Sequence, residues 1–230
     1  MPVSADPMAI AMLDDLLERL GNIPPHRICM SILPGTATEK DVIRIQDRTN
    51  RNFELVEGTL VEKPVSQLES SLTMELGGHL WMYLRTNPLG YITGPDGGMR
   101  VMKKLIRMPD ISFIDWHQLP TRERSTEAFV PVSPALAVEV LSKSNTRQEM
   151  ERKRKEYFLG GTRLVWIVDP PTRTIEVWTS PDDCVTLTEE DTLDGGEVLP
   201  GFRVTVREVF ANLPKMPARR GKKTNDKKKR

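Results

Sequence analysis

The sequence contains few residues that form disulfides or bind zinc. Two cysteines occur, Cys29 and Cys184, and the three histidines are also widely separated. None of these side chains forms a CxxC pair or a cluster with metal-ligand spacing. The sequence therefore indicates neither a disulfide framework nor a zinc site.

Long apolar runs are absent as well. No run approaches the roughly 18 residues that a membrane span requires. Asp14, Asp15 and Glu18 interrupt the apolar residues near the N-terminus, where a secretory signal would have an uncharged apolar core. Charged residues make up 28% of the chain and the apolar class 38%, which is typical of a soluble globular protein. We therefore expect a cytoplasmic protein that does not associate with membranes.

The net charge of +1 conceals an uneven distribution. Residues 218–230 (ARRGKKTNDKKKR) contain eight basic residues and one acid, which leaves a net charge of −6 on the rest of the chain. Such a segment has little to bury, so we expect it to be disordered. Two interpretations stay open: an arm that binds nucleic-acid phosphates, or a tail that only increases solubility.

Apolar periodicity predicts helices and several short strands. Helical spacing indicates helices over residues 8–20, 67–85 and roughly 146–159. Alternating strand residues and turn residues predict two hairpins, over residues 53–63 and 163–178. Further strands are expected at 90–101, 105–114, 135–140 and 202–206. This order of elements indicates a mixed α/β domain with one sheet.

Three acidic residues stand where burial is expected. Glu139 lies inside the apolar strand ALAVEV, and Asp110 follows Pro109 directly before another apolar strand. Glu69 falls within the apolar stripe of the helix over 67–85. Burying an isolated carboxylate costs roughly several kcal/mol of stability unless a positive charge or a proton compensates it. A divalent cation would remove the repulsion between converging carboxylates, because magnesium binds one or two of them together with water and phosphate.

A cationic residue is expected near these acids. The helix over 146–159 has Met150, Tyr157 and Phe158 on its apolar side, and both Lys153 and Arg154 lie close to that side. Either residue could orient a water molecule or stabilise charge on a phosphate. Periodicity alone does not choose between them. By the ordinary rules of hairpins, Glu54 and Glu57 are interpreted as surface and turn residues.

The order of several segments resembles a known family. FELVEGTLVEKP, MPDISFI, ALAVEVLSKSN, KRKEYFLGG, VWIVDPPTRTIEVW and LPGFRVTVREVF follow one another as in the Uma-two family of restriction-endonuclease-like proteins. That family belongs to the PD-(D/E)XK nuclease superfamily. The resemblance covers roughly residues 50–212. It implies a central mixed sheet flanked by helices, and a magnesium-dependent endonuclease that hydrolyses DNA phosphodiester bonds.

The resemblance also implies roles for particular residues. Asp110 corresponds to the Asp of the PD motif and Glu139 to the second acid, and both would bind Mg²⁺ (or Mn²⁺) together with the Val140 carbonyl. Lys153 takes the role of the lysine, since Leu141 occupies the position two residues after Glu139 where the superfamily usually has it. Glu69, where the family commonly has a histidine, is a further candidate catalytic acid.

The expected organisation has three parts: an N-terminal helix and connector (1–49), a restriction-endonuclease-like domain (50–212) and a basic tail (213–230). DNA is the expected partner, and the sequence is compatible with a homodimer without specifying one. Two alternatives stay open. One is a catalytically silent nuclease-like fold that binds DNA or serves in assembly. The other is a protein that does not bind nucleic acid, in which Glu139, Lys153 and Glu69 form a structural ion network.

Overall fold

The structure, a computed structural model, describes residues 7–63 and 66–213. Its helices are α1 (Pro7–Arg19), α2 (Glu39–Thr49), α3 (Gln67–Thr86), α4 (Arg147–Leu159) and α5 (Val206–Val209). Its strands are β1 (Phe53–Val56), β2 (Thr59–Glu62), β3 (Gly90–Thr93), β4 (Gly98–Met102), β5 (Leu105–Arg107), β6 (Ile111–Asp115), β7 (Phe129–Val130), β8 (Leu136–Val140), β9 (Leu164–Asp169), β10 (Thr174–Trp178), β11 (Cys184–Leu187), β12 (Thr192–Asp194) and β13 (Arg203–Thr205). The predicted basic tail, apart from Leu213, lies outside the described residues.

A six-stranded mixed sheet forms the centre of the fold. Its order is β11-β10-β9-β8-β6-β3, with β8 and β9 parallel and the other neighbours antiparallel. Helix α3 covers one face, where Leu72, Leu76 and Leu80 join the core formed with β6 and β8. Met150 and Tyr157 of α4 belong to the core on the opposite face. The predicted mixed α/β class, with a central mixed sheet flanked by helices, is therefore confirmed.

A second sheet contains five strands in the order β2-β1-β5-β4-β7. Helix α2 packs on its outer face, with Val42 and Ile45 in the core that contains Phe53 and Leu55. Helix α2 was not predicted from the sequence. A capping box closes its N-terminus, and in it the Thr38 N–H donates to the Asp41 carboxylate at 2.8 Å. A small third sheet pairs β12 with β13.

The prediction of a single sheet is wrong, and the reason lies between β5 and β6. Strand β5 pairs with β1 in the five-stranded sheet, whereas β6 pairs with β8 in the six-stranded sheet. The chain crosses from one sheet to the other at Met108, Pro109 and Asp110. Pro109 has no backbone N–H to donate and therefore ends the ladder there.

Both faces of β8 are buried, as its sequence predicts. Leu136, Val138 and Val140 belong to the core beneath α3, and Ala137 belongs to the core beneath α4. Side chains alternate along a strand, so Glu139 lies on the same face as Ala137 and points toward α4. None of the helices in the described part of the chain is long and apolar enough to cross a membrane.

The hairpin β1–β2 closes with a tight turn that positions two residues of the site described below. Val56 pairs with Thr59, so Glu57 and Gly58 form the turn, and their φ angles are 49° and 73°. Two consecutive residues with positive φ are typical of a type I′ turn, which matches the twist of the strands. The predicted turn at Glu57-Gly58 is confirmed.

Replacing Gly58 with alanine should destabilise the protein by about 2–4 kcal/mol, for two reasons. The added Cβ would overlap the Gly35 backbone, and alanine is strained at the positive φ of this position. Gly161→Ala is the matched control, since Gly161 has a φ of +97° but nothing within 4 Å of an added Cβ. The Gly161→Ala control should lose only about 1 kcal/mol of unfolding free energy. Urea denaturation of both variants measures the difference, and equal losses would contradict this account of the turn.

Candidate active site

Asp110 and Glu139 lie side by side on neighbouring strands. The antiparallel register pairs Ile111 with Val138, so the next step of the ladder places Asp110 opposite Glu139. The Asp110 N–H donates to the Val138 carbonyl at 2.9 Å, and the Val140 N–H donates to Asp110 Oδ2 at 2.6 Å. Backbone hydrogen bonds therefore fix the first acid against the strand that carries the second.

The ammonium group of Lys63 lies between the two carboxylates. Its Nζ is 2.9 Å from Asp110 Oδ1 and 3.8 Å from Glu139 Oε2, and it also donates to the Met108 carbonyl. Lys63 follows the last residue of β2, and its backbone N–H donates to the Asn52 carbonyl at 2.9 Å. The hairpin thus delivers one positive charge to a point that both acids face.

Helix α4 supplies a second cation and a phenol to Glu139. Lys153 Nζ is 3.2 Å from Glu139 Oε1 and 3.0 Å from Glu54 Oε1. The Tyr157 hydroxyl donates to Glu139 Oε1 at 2.6 Å. Lys153 and Tyr157 are four residues apart and so lie on one face of the helix. Arg154 points elsewhere, with its guanidinium carbon 3.5 Å from the centre of the Trp178 ring.

The interpretation of Glu54 as a surface residue is wrong, since its side chain is 0% exposed. Strand β1 lies between β2 and β5, and α2 covers the face that carries Phe53 and Leu55. Glu54 consequently points to the inner face of that sheet. Arg107 on β5 donates to Glu54 Oε2 at 2.6 Å and to Glu156 Oε2 at 2.9 Å.

The buried charges shift one another's protonation. Burial disfavours the charged form of Glu54, but Lys153, Arg107 and Lys63 together hold its pKa well below the ordinary value. Burial alone would lower the pKa of Lys153, yet Glu139 and Glu54 raise it above its ordinary value. Burial raises the pKa of Glu139 despite the opposing effects of Lys153 and Lys63. Glu54 and Lys153 therefore favour their charged forms, whereas the Glu139 carboxyl group favours its protonated form more than a free glutamate does.

Glu69 takes a different place from the other two acids. It is the third residue of α3, and its carboxylate accepts a hydrogen bond from the Ser66 N–H at 3.0 Å, which closes the N-terminus of that helix. Among the described hydrogen bonds and ion pairs, none joins Glu69 to Asp110, Glu139 or Lys153. Of the alternative ion network of Glu139, Lys153 and Glu69, the described residues contain the Glu139–Lys153 pair but no contact from Glu69 to it.

A groove of about 1210 Å³ opens beside this cluster, at the carboxyl ends of β8 and β9. The N-terminal residues of α3 and α4 form two of its walls. Its charged lining residues are Lys143, Arg147 and Arg154 together with Glu69, Glu151, Asp169 and Glu176. Asp110, Glu139, Lys63 and Lys153 do not line it. The lining of the groove includes Leu141, one residue beyond the end of β8, and Met150 on α4.

The described residues offer a limited set of metal ligands. No group of three or more His, Cys, Asp or Glu side chains in residues 7–63 and 66–213 is arranged to hold a metal ion. Asp110 and Glu139 nevertheless face one common cation, the Lys63 ammonium. Magnesium needs only one or two carboxylates when water completes its shell. The acid pair therefore fits such an ion in number and type of ligand.

Sequence reasoning missed Lys63, Glu54, Arg107 and Tyr157 as residues of the site. A period of two along β2 places Lys63 on the same inward face as Val61, which belongs to the core beneath α4. Tyr157 was assigned only to packing, although a buried tyrosine hydroxyl needs a hydrogen-bond partner. Glu54 and Arg107 gave no local signal, because their burial depends on the pairing of β1 with β5.

The fold is that of nuclease-like proteins: it is similar to the crystal structure of "a putative nuclease belonging to DUF820" from Anabaena variabilis ATCC 29413, with a TM-score of 0.63. The two chains are 16% identical, and the match covers 71% of this chain and 92% of the other. A family model described as "Putative restriction endonuclease" matches residues 40–207, and the chain belongs to this family, Uma2. The resemblance noted from the sequence is confirmed. Comparison with curated proteins gives no match.

Glu54→Gln should lower the free energy of unfolding by about 3 kcal/mol at pH 7, because it removes one of the two buried carboxylates that each of Lys153 and Arg107 contacts. The folded-state pKa of Glu54 lies below its ordinary value of 4.5, so the carboxylate stabilises the fold above pH 4.5 and this contribution is lost as the pH falls further. The deficit of the variant should therefore shrink below pH 4.5. Urea denaturation at several pH values measures this stability deficit. A deficit that does not change with pH would argue against a lowered pKa of Glu54.

Glu139→Gln should show the opposite dependence. The folded-state pKa of Glu139 lies above its ordinary value of 4.5, so its ionised form costs stability as the pH rises through the folded pKa. The glutamine mimics the protonated acid, while Lys153 keeps Glu54 and Lys63 keeps Asp110 as partners. We expect a gain of about 1 kcal/mol at neutral pH that disappears toward pH 4.5. A loss of unfolding free energy at neutral pH, measured by the same urea denaturation, would contradict this expectation.

Proposed function

We propose that the chain is a magnesium-dependent endonuclease that hydrolyses DNA phosphodiester bonds. The observation that carries the proposal is the acid pair: Asp110 Oδ1 and Glu139 Oε2, from adjacent strands, lie 2.9 Å and 3.8 Å from one and the same cationic nitrogen. Two carboxylates that face one cation provide the donor set that magnesium uses in phosphate chemistry. Membership of a family described as "Putative restriction endonuclease" supports nucleic acid as the substrate class.

In this proposal Asp110 and Glu139 bind Mg²⁺ (or Mn²⁺) through their carboxylates and Val140 through its carbonyl oxygen. Such an ion lowers the pKa of a bound water and neutralises charge on the phosphate that is attacked. Val140 has a second task, because its N–H holds Asp110 Oδ2 at 2.6 Å. One residue would thus orient the first acid and contribute a ligand next to it.

Lys153 acts as a fixed positive charge and not as a base. Glu139 and Glu54 hold its ammonium at 3.2 Å and 3.0 Å, and they keep its pKa above the ordinary value. A protonated lysine in a buried position can orient a water or stabilise negative charge that develops on the phosphate. Glu54 and Tyr157 are positioning residues, since they hold Lys153 and Glu139 respectively. Glu69 positions the N-terminus of α3 along the groove.

The groove beside the cluster is the proposed approach for DNA. Lys143, Arg147 and Arg154 line it, and the N-termini of α3 and α4 add backbone N–H groups. These basic residues, with the tail at 218–230, would bind backbone phosphates and position the strand without selecting a sequence. The acids in the same groove would limit how much of the strand's charge it can neutralise.

Asp110→Ala and Glu139→Ala should each reduce cleavage of duplex DNA in the presence of magnesium by about a hundredfold or more, because each removes a ligand of the ion that activates water. A gel assay that follows nicking and linearisation of plasmid DNA measures the loss.

Glu190→Ala is the control for a lost acid, since among the described residues Glu190 pairs with the exposed Arg207 and its side chain is 81% exposed. It should cleave as the wild type does. Undiminished cleavage by both Asp110→Ala and Glu139→Ala would refute the assignment of the active site.

A second function is favoured by Lys63, whose ammonium already fills the position between the two acids. In that case the chain is a catalytically silent nuclease-like module that binds DNA or serves in assembly. It would bind duplex DNA more weakly as salt increases, lose that binding when residues 218–230 are removed, and cleave with neither magnesium nor manganese. Metal-dependent cleavage that disappears in Asp110→Ala would exclude this function.

A further inference from the structure

We propose that Lys63 is an internal cation that a divalent metal ion must displace in order to bind between Asp110 and Glu139. This inference rests on the proposed function, because it concerns how the same acid pair accepts its ion.

The first observation is the position of the Lys63 ammonium group. Lys63 Nζ is 2.9 Å from Asp110 Oδ1 and 3.8 Å from Glu139 Oε2, which is the space that an ion bridging the two acids needs. Both carboxylates are nearly fully buried, as is the lysine. Two cations cannot share that space, since like charges at contact distance repel strongly where water is scarce.

The second step is that Lys63 is held less firmly than the other lysine of the cluster. Lys153 lies within 3.2 Å of Glu139 and 3.0 Å of Glu54, and its side chain is 2% exposed. Lys63 has one close carboxylate, a longer contact to Glu139 and 8% exposure, and it also donates to the Met108 carbonyl. Displacing Lys63 would therefore break one close ion pair and one longer one, whereas displacing Lys153 would break two close ion pairs.

The third step concerns the metal-free protein. Without a cation between them, Asp110 and Glu139 would face each other as buried like charges, which repel strongly where water is scarce. Lys63 removes this repulsion, and the same contact competes with any incoming ion. The affinity of the acid pair for metal is thus set partly by the lysine, and the hairpin β1–β2 controls a site formed mainly by β6 and β8.

The test measures Mn²⁺ binding to the full-length protein by isothermal titration calorimetry, for the wild type and for Lys63→Met. Removing the competing ammonium should tighten Mn²⁺ binding by about tenfold or more. Lys63→Gln, which keeps a donor for the Met108 carbonyl but lacks the charge, should show the same gain and serves if the methionine variant does not fold. A lysine with a purely structural role would not raise the affinity when it is removed.

Lys153→Met is the matched control, because it removes one buried charge from the opposite side of Glu139. Its effect on Mn²⁺ affinity should be clearly smaller than that of Lys63→Met. Unchanged or weaker binding in both Lys63 variants, or an equal gain in Lys153→Met, would overturn the inference while the metal site itself survives. Absence of Mn²⁺ binding in the wild type and in both Lys63 variants would overturn the proposed metal site and the inference with it.

Discussion

The burial of the Glu139 carboxylate is the constraint on which the rest of the site depends. This side chain is 5% exposed on a strand whose two faces are covered. An unpaired carboxylate in that place would cost roughly several kcal/mol of stability. Three groups compensate it: the Tyr157 hydroxyl at 2.6 Å, Lys153 at 3.2 Å and Lys63 at 3.8 Å. Each comes from an element outside the strand, so the charge can be tolerated only when the whole domain is assembled.

The same network joins the two larger sheets. Glu54 on β1 contacts both Lys153 on α4 and Arg107 on β5, and Arg107 continues to Glu156 on α4. The five-stranded sheet, α4 and the six-stranded sheet thus share one set of buried charges. A set held in this way keeps its charges in fixed positions before any substrate arrives, which is what electrostatic stabilisation of a transition state requires. The groove next to it is lined by the N-termini of α3 and α4 and by Leu141, one residue beyond the end of β8.

Sequence reasoning could reach the local part of this arrangement. The buried strand around Glu139, the helix of Lys153 and the turn at Gly58 follow from periodicity and turn chemistry, and pairing of two apolar strands suffices to bring Asp110 near Glu139. Lys63 and Glu54 could not be placed in this way, because a hairpin has the same alternation whether it lies at a surface or against another layer. Their burial follows from the pairing of β1 with β5, which contact across about fifty residues of sequence. Helix α2 was missed since only Val42 and Ile45 mark its buried side.

The most direct test of the central claim is a crystal structure of the protein soaked with Mn²⁺, with anomalous diffraction used to locate the ion. We expect one anomalous peak between the Asp110 and Glu139 carboxylates, with the Lys63 ammonium moved out of that position and Lys153 still in contact with Glu139. A structure with Lys63 in place between the two acids and no anomalous peak there would contradict it.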